Sequence, residues 1–231
     1  MSKCLWFCLL ILACSPPAKK DTATNKTIQL PQLDCKSVHI WGEERKMLTE
    51  AYASEHYGKA DYYLDSVAMV VIHFTVIPTL QETIEYFKSA RLDPKRANIA
   101  QFSNLNVSVH YVVAPDGEIY CLLPENVLAR HLIGFNHLSI GIENIAADAS
   151  KLTQAQLEAN ATIVSYLSEK YSSLQYLIGH HEYDREDLPH YRLIKADNPA
   201  YQPYPKHDPG EKFMKQLRDM LTKEKNVELQ P

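Results

Sequence analysis

Short apolar runs alternate along the chain with stretches in which apolar residues recur at helical spacing. Residues 67–72 (VAMVVI) form a continuous apolar run ending at His73, a pattern typical of a strand buried on both faces. Residues 139–143 and 174–178 are further short apolar segments, and the second leads directly into Gly179. These runs predict the strands of a central sheet.

A hairpin is predicted in the middle of the chain. Residues 107–113 and 118–123 are two strand-like segments, and the turn sequence Pro115, Asp116 and Gly117 lies between them. Proline presets the backbone for a turn and glycine accepts a positive φ, so this sequence favours a tight reversal. The two segments are therefore expected to pair.

Three stretches predict helices. Thr79 with Glu82, and Thr153 with Gln156, match the capping-box pattern that begins a helix, and apolar residues follow each at helical spacing. A third stretch near the C-terminus has four apolar residues at helical spacing, Phe213, Leu217, Met220 and Leu221. Strands and helices mixed in this way predict an α/β fold, with a central sheet flanked by helices.

The first residues have the pattern of an export signal. Lys3 precedes an apolar stretch at residues 5–12, which is too short to cross a bilayer as a helix. Residues 11–14 (ILAC) resemble the lipobox of bacterial lipoproteins, which implies cleavage before Cys14 and acylation of its sulfur. An ordinary signal peptide that ends in a cysteine is the alternative. We expect a signal peptide at residues 1–13 and a lipid anchor in the bacterial cell envelope, on the periplasmic side of the outer membrane.

The rest of the chain divides into a linker and one domain. Residues 14–34 are rich in Pro, Lys, Thr and Asn and predict a flexible tether, whereas residues 35–231 have the length of a single domain. Within this domain, residues 181–205 show no period and predict a long loop, whose Tyr residues suit sugar and peptide contacts.

Charge and cysteine content narrow the class of protein. The net charge of −4 argues against a nucleic-acid partner, because such proteins usually carry a basic surface. Of five cysteines, only Cys35 and Cys121 lie beyond the signal and Cys14. Whether these two pair stays open at this point, and a monomer is expected.

Two histidines and an aspartate are candidate metal ligands. His73 and His180 lie next to strand ends, and Asp208 precedes a Pro-Gly pair. A catalytic zinc site needs three protein ligands and one open position, which this set would satisfy. The chain has ten histidines, so spacing alone does not select these two. The competing histidines are His181, His190 and His207.

Five segments in order resemble the motifs of the zinc-dependent N-acetylmuramoyl-L-alanine amidases, which share their type 2 amidase fold with peptidoglycan recognition proteins. They are IHFT (72–75), NVSVHYVV (106–113), LSIGIEN (138–144), GHHEYD (179–184) and PKHDPG (205–210). The resemblance implies a central mixed sheet and a Zn²⁺ ion bound by three ligands, His73, His180 and Asp208.

The same resemblance implies roles for four further residues. Glu143 corresponds to the catalytic glutamate and Lys206 to a catalytic lysine. His131 and Asn136, in ARHLIGFN (129–136), correspond to substrate-side positions, although Arg130 stands where the family usually has Trp.

The resulting hypothesis is a lipid-anchored zinc amidase that hydrolyses the amide bond between N-acetylmuramic acid and L-alanine in peptidoglycan or muropeptides. Two alternatives remain: a module that binds peptidoglycan without cutting it, and a zinc hydrolase of another amide. A fold and a zinc site do not by themselves determine a substrate.

Overall fold

The computed structural model describes residues 32–195 and 204–231. The chain separates into two units, residues 1–30 and residues 31–231, and the described structure belongs to the second unit. The predicted signal peptide, Cys14 and nearly all of the tether lie outside the described residues, so their assignments stay predictions.

Six strands form one mixed sheet in the order β1-β4-β3-β5-β2-β6. The strands are β1 (Lys36–Ser37), β2 (Met69–Phe74), β3 (Tyr111–Val113), β4 (Ile119–Cys121), β5 (Ser139–Asn144) and β6 (Tyr176–Gly179). The β3–β4 hairpin is antiparallel, and the other pairs are parallel. The predicted mixed sheet and the hairpin around Gly117 (φ 89°) are therefore confirmed.

Helices of four to 17 residues connect and cover the strands. They are α1 (Glu43–Tyr57), α2 (Leu80–Lys88), α3 (Ala97–Ala100), α4 (Gln154–Lys170) and α5 (Glu211–Met220). The predicted capping box of α4 is present, because Thr153 and Gln156 each bond to the other's backbone N–H. Among helices of the described residues, none has the length and apolar character needed to cross a bilayer.

The two faces of the sheet have different roles. On one face, Val70 and Ile72 of β2 and Ile140 and Ile142 of β5 pack in a core shared with α4 and α5. Side chains alternate along a strand, so the intervening residues face the opposite side. His73 of β2 is paired in register with Glu143 of β5. This second face therefore carries both side chains toward a cleft.

The structure corrects the predicted strand ends. His73 lies within β2 instead of just after it, because parallel pairing with β5 continues through Phe74. Residues 107–110 are not part of β3, since Ser108 and His110 donate backbone bonds to Arg130 and Gly141 outside a regular ladder. The segment 181–205 includes part of one 3₁₀ helix, His180–Glu182, and all of a second, Pro189–Leu193. Residues 196–203 of that predicted loop lie outside the described part.

Helix α1 was not predicted from the sequence, because its buried face is largely polar. Arg45, Thr49 and His56 are buried there together with Tyr52 and Ala53. The Arg45 guanidinium donates to the carbonyls of Ile40, Phe87 and Ser89 at 3.1, 2.6 and 2.6 Å. A pattern search for apolar periodicity does not detect such a helix.

The two remaining cysteines are paired in the structure. Cys35 and Cys121 form a disulfide, with their Cα atoms 5.9 Å apart. The bond closes a loop of 86 residues and joins the start of the domain to β4. A loop of this size predicts roughly 4–5 kcal/mol of stabilisation through the lost entropy of the unfolded chain.

Candidate metal centre and cleft

Three predicted ligands converge at one end of the sheet. His73 Nδ1 lies 2.9 Å from His180 Nδ1 and 3.3 Å from Asp208 Oδ2. His180 Nδ1 lies 2.9 Å from the same carboxylate oxygen. Among the described residues, this is the one group of three His, Cys, Asp or Glu side chains with metal-site spacing.

Each ligand is held by a different element. His73 is near the end of β2, His180 opens the 3₁₀ helix after β6, and Asp208 precedes α5. The backbone N–H of His181 donates to the Asp208 carbonyl at 2.9 Å, which joins the second and third of these segments. The sheet and this bond therefore place the three side chains together.

The three donor atoms fit a zinc ion. A tetrahedral site with bonds of about 2.0–2.1 Å separates neighbouring donor atoms by roughly 3.3 Å, close to the observed triangle. Two imidazole nitrogens and a carboxylate oxygen are also ligands that zinc prefers. An ion bound between these atoms would take a lone pair from each of the two Nδ1 atoms and one from the carboxylate oxygen.

The pKa values of His180 and Asp208 favour the protonation states in which these side chains bind metals. Burial lowers the pKa of His180 to about 4, so this imidazole is neutral at pH 7. Burial opposes ionisation of Asp208, but the proximity of His180 and His73 outweighs burial and holds the pKa of this carboxyl well below the usual range. A neutral imidazole and an ionised carboxylate are the forms that bind metals.

Glu143 is a half-buried acid beside this cluster. Its Oε2 atom is inaccessible to solvent and has no hydrogen-bond partner among the described residues. Burial, followed by the charge of Asp208, raises the pKa of this carboxyl well above its ordinary value. A buried carboxyl without a partner in a cleft is typical of a group that exchanges protons with a bound molecule.

A cleft of about 610 Å³ opens above the cluster. Lys206 borders it, and its ammonium lies 4.0 Å from the centroid of the Tyr204 ring. Tyr183 also borders the cleft, and its hydroxyl donates to the Tyr204 carbonyl at 3.2 Å. Both tyrosines come from the segment 181–205, whereas residues 184–195 of that segment do not border the cleft.

His131 and Asn136, the predicted substrate-side residues, lie beside the cluster and make contacts within the protein. The His131 imidazole bonds to the ligand His73, with Nδ1 3.1 Å from His73 Nε2. Asn136 is buried, and its Oδ1 accepts from the backbone N–H groups of His131 and Leu132. Both residues border the cleft, and a substrate role for them stays a prediction.

The competing histidines lie outside the cluster. His181 packs its ring against Gly179 and places Nδ1 3.2 Å from the Asp208 carbonyl oxygen. His190 is fully buried against the Phe135 ring, and His207 is exposed. His110 is also fully buried and bonded to Val127 and Gly141, so it is a packed core residue.

One wall of the cleft was not predicted from the sequence. Tyr86, Arg96 and Phe102 border it, and Arg96 donates to the Tyr86 hydroxyl. Arg96 directly precedes α3, which has only four residues. A helix this short has no measurable periodicity, so Arg96 had no pattern to single it out, and Tyr86 is one polar-tipped residue of the predicted helix α2.

The fold and the cluster together define a mixed α/β protein with a candidate zinc centre in a cleft. Residues 63–211 match the family model Amidase_2, described as N-acetylmuramoyl-L-alanine amidase. The match covers more than half of the chain, and the chain belongs to this family. Membership supports an amidase or peptidoglycan-related function in general.

Several solved structures resemble this chain at low sequence identity. A selenomethionine derivative of AmpD is 22% identical (TM-score 0.47; 69% of this chain and 89% of that chain covered). The endolysin N-acetylmuramoyl-L-alanine amidase LysCS of Clostridium intestinale is 20% identical (0.43; 67% and 86%). Peptidoglycan recognition protein SA of Drosophila is 21% identical (0.40; 55% and 75%). A comparison with curated proteins gave no match.

Proposed function

We propose that this chain is a zinc-dependent amidase that hydrolyses the bond between N-acetylmuramic acid and L-alanine in peptidoglycan or muropeptides. The observation that carries the proposal is the cluster of His73, His180 and Asp208 beside Glu143, whose buried Oε2 has no partner among the described residues. This combination supplies a place for a metal ion and a proton acceptor at the same end of one cleft.

The ion would be held by His73 Nδ1, His180 Nδ1 and Asp208 Oδ2. When bound, zinc supplies Lewis acidity, which lowers the pKa of water to about 7 and polarises a carbonyl group. Glu143, which borders the cleft, would accept the proton of the attacking water through its carboxylate. The protonated carboxyl would then be the proton donor to the leaving amine.

The proposed amide hydrolysis balances in atoms and protons with water and Glu143. The water oxygen bonds to the carbonyl carbon of the lactyl group, the carbon–nitrogen bond breaks, and the proton on Glu143 passes to the released nitrogen of L-alanine. The Lys206 ammonium, which lies over the Tyr204 ring at the cleft, would stabilise negative charge on the carbonyl oxygen. The tyrosine ring limits the positions of this long side chain.

The two alternatives differ in what the site would need. A module that only binds peptidoglycan has no use for a complete ligand set or a glutamate with a buried, unpartnered oxygen, and both are present among the described residues. A hydrolase of another amide would use the same centre with different contacts along the cleft walls. Product identification separates this alternative from the proposal.

Hydrolysis of purified peptidoglycan is the test of the proposal. We expect the unmutated protein to release free stem peptides with an N-terminal L-alanine, to stop when a chelator removes zinc, and to resume when zinc is restored. The products are identified by mass spectrometry. Binding of peptidoglycan without release of peptide by the zinc-loaded protein would support the binding module instead.

We also propose that Cys14 carries lipid and places the enzyme at a membrane of the bacterial envelope, with residues 14–34 as a tether. The sequence ILAC at residues 11–14, after an apolar stretch, supports this proposal. We expect Cys14→Ser to move the full-length protein from the detergent phase to the aqueous phase, or to leave it unprocessed. Unchanged partitioning and processing of Cys14→Ser would contradict lipidation at this residue.

A further inference from the structure

We infer that His131 is a positioning residue for the metal centre: it orients the His73 ring and keeps the Nδ1 lone pair of His73 directed at the metal. This inference rests on the proposed zinc function. The resemblance implied contact with substrate, whereas the structure places the ring directly against a ligand, with the two ring planes perpendicular.

The direction of each hydrogen bond between Ser139, His131 and His73 can be derived from the Ser139 hydroxyl, whose own acceptor is known. The Ser139 hydroxyl donates to the Phe135 carbonyl at 2.8 Å. Its oxygen is then the acceptor for His131 Nε2–H, at 3.2 Å. A neutral imidazole with its proton on Nε2 has an acceptor at Nδ1, and this atom lies 3.1 Å from His73 Nε2. His73 therefore donates from Nε2 to His131.

The consequence for the metal centre is a defined tautomer of His73. With its proton on Nε2, His73 has a free lone pair on Nδ1, the atom that points at His180 and Asp208. A partner that accepts from the remote nitrogen of a ligating histidine fixes the ring and increases its basicity. His131 would supply this function here through an imidazole instead of the more common carboxylate or carbonyl.

The residues around His131 hold its ring against His73. A Cβ atom at position 141 would lie 2.9 Å from His131 Cγ, so the ring packs on β5 only because residue 141 is glycine. Asn136 accepts from the His131 N–H and donates to the Tyr52 hydroxyl, which fixes the backbone. These contacts hold both the ring and the backbone of His131 in place beside His73.

Zinc affinity of four variants tests this inference. In His131→Asn, the side-chain oxygen takes approximately the place of Nδ1 and can still accept from His73. In His131→Gln, the amide group reaches toward Ser139 and leaves His73 Nε2 without an acceptor, and His131→Phe removes every polar contact. His39→Phe makes the same change at an exposed histidine and serves as the matched control.

We expect a 10- to 100-fold weaker zinc affinity for His131→Gln and His131→Phe, the usual effect of losing such a partner. His131→Asn should stay within a few-fold of the unmutated protein, and His39→Phe should be unchanged. The dissociation constants come from competition with a chromophoric chelator, and melting curves of the zinc-free proteins verify folding. If the Phe variant fails to fold, the Asn and Gln variants decide the question.

Equal affinity in the unmutated and Gln variants would overturn the inference, as would equal losses in the Asn and Gln variants, which indicate a packing role. Absence of zinc binding by the unmutated protein would instead overturn the proposed function. The two failures are therefore distinguishable in a single set of measurements.

Discussion

Asp208→Ala is expected to lose bound zinc and all measurable amide hydrolysis, and His180→Ala is expected to behave in the same way. Each change removes one of three converging donor atoms, whose separations are 2.9, 2.9 and 3.3 Å in the native cluster. A site left with two protein ligands holds zinc far more weakly. Elemental analysis of the purified variants measures the zinc content, and peptide release measures the activity.

His181→Ala is the matched control for His180→Ala. The side chain of His181 faces the Asp208 carbonyl and not the cluster, while the bond that joins the two segments comes from the His181 backbone N–H, which alanine retains. We expect this variant to keep its zinc and much of its activity. Zinc loss in His181→Ala together with zinc retention in His180→Ala would contradict the ligand assignment.

Glu143→Gln is expected to keep zinc and lose turnover by roughly 10²- to 10⁴-fold, the contribution typical of general acid–base catalysis. Glutamine has nearly the shape of glutamate, so the packing between β5 and its neighbours is preserved. It has no carboxylate to accept the proton of water. Zinc content and the rate of peptide release, measured on the same preparation, separate this effect from loss of metal.

The surface acid Glu118 provides the control for this change. Glu118 lies in the β3–β4 hairpin and pairs with Lys36, away from the cleft. Glu118→Gln should leave both zinc content and turnover unchanged. Full activity in Glu143→Gln would contradict the assigned role, and loss of zinc in that variant would indicate that Glu143 supports the metal centre.

Local patterns predicted most of the regular structure. The helices that begin after Thr79 and Thr153 have N-caps that act within one turn, and the hairpin at Gly117 depends on three adjacent residues. Helix α1 lacked such signals, because Gly42 precedes it without a side-chain cap and its buried face includes Arg45. Its stability comes from contacts with segments distant in sequence, which no local pattern contains.

Local sequence patterns predicted less of the candidate metal site than of the fold. His73 and His180 are 107 residues apart, and Asp208 is a further 28 residues along the chain, so only the folded sheet brings them together. The family resemblance selected these three from many candidates. It did not indicate the contact of His131 with His73, because that contact depends on the register of β2 and β5 and on the missing side chain of Gly141.

The central claim is hydrolysis at the bond between N-acetylmuramic acid and L-alanine, and oxygen labelling of the products tests it most directly. A defined muropeptide is incubated with the zinc-loaded protein in ¹⁸O-enriched water, and the masses of both products are determined. We predict one ¹⁸O atom in the lactyl carboxyl group of the released sugar and an unlabelled peptide that begins with L-alanine. A sugar product that retains L-alanine, with the label in an amino-acid carboxyl group, would contradict the account.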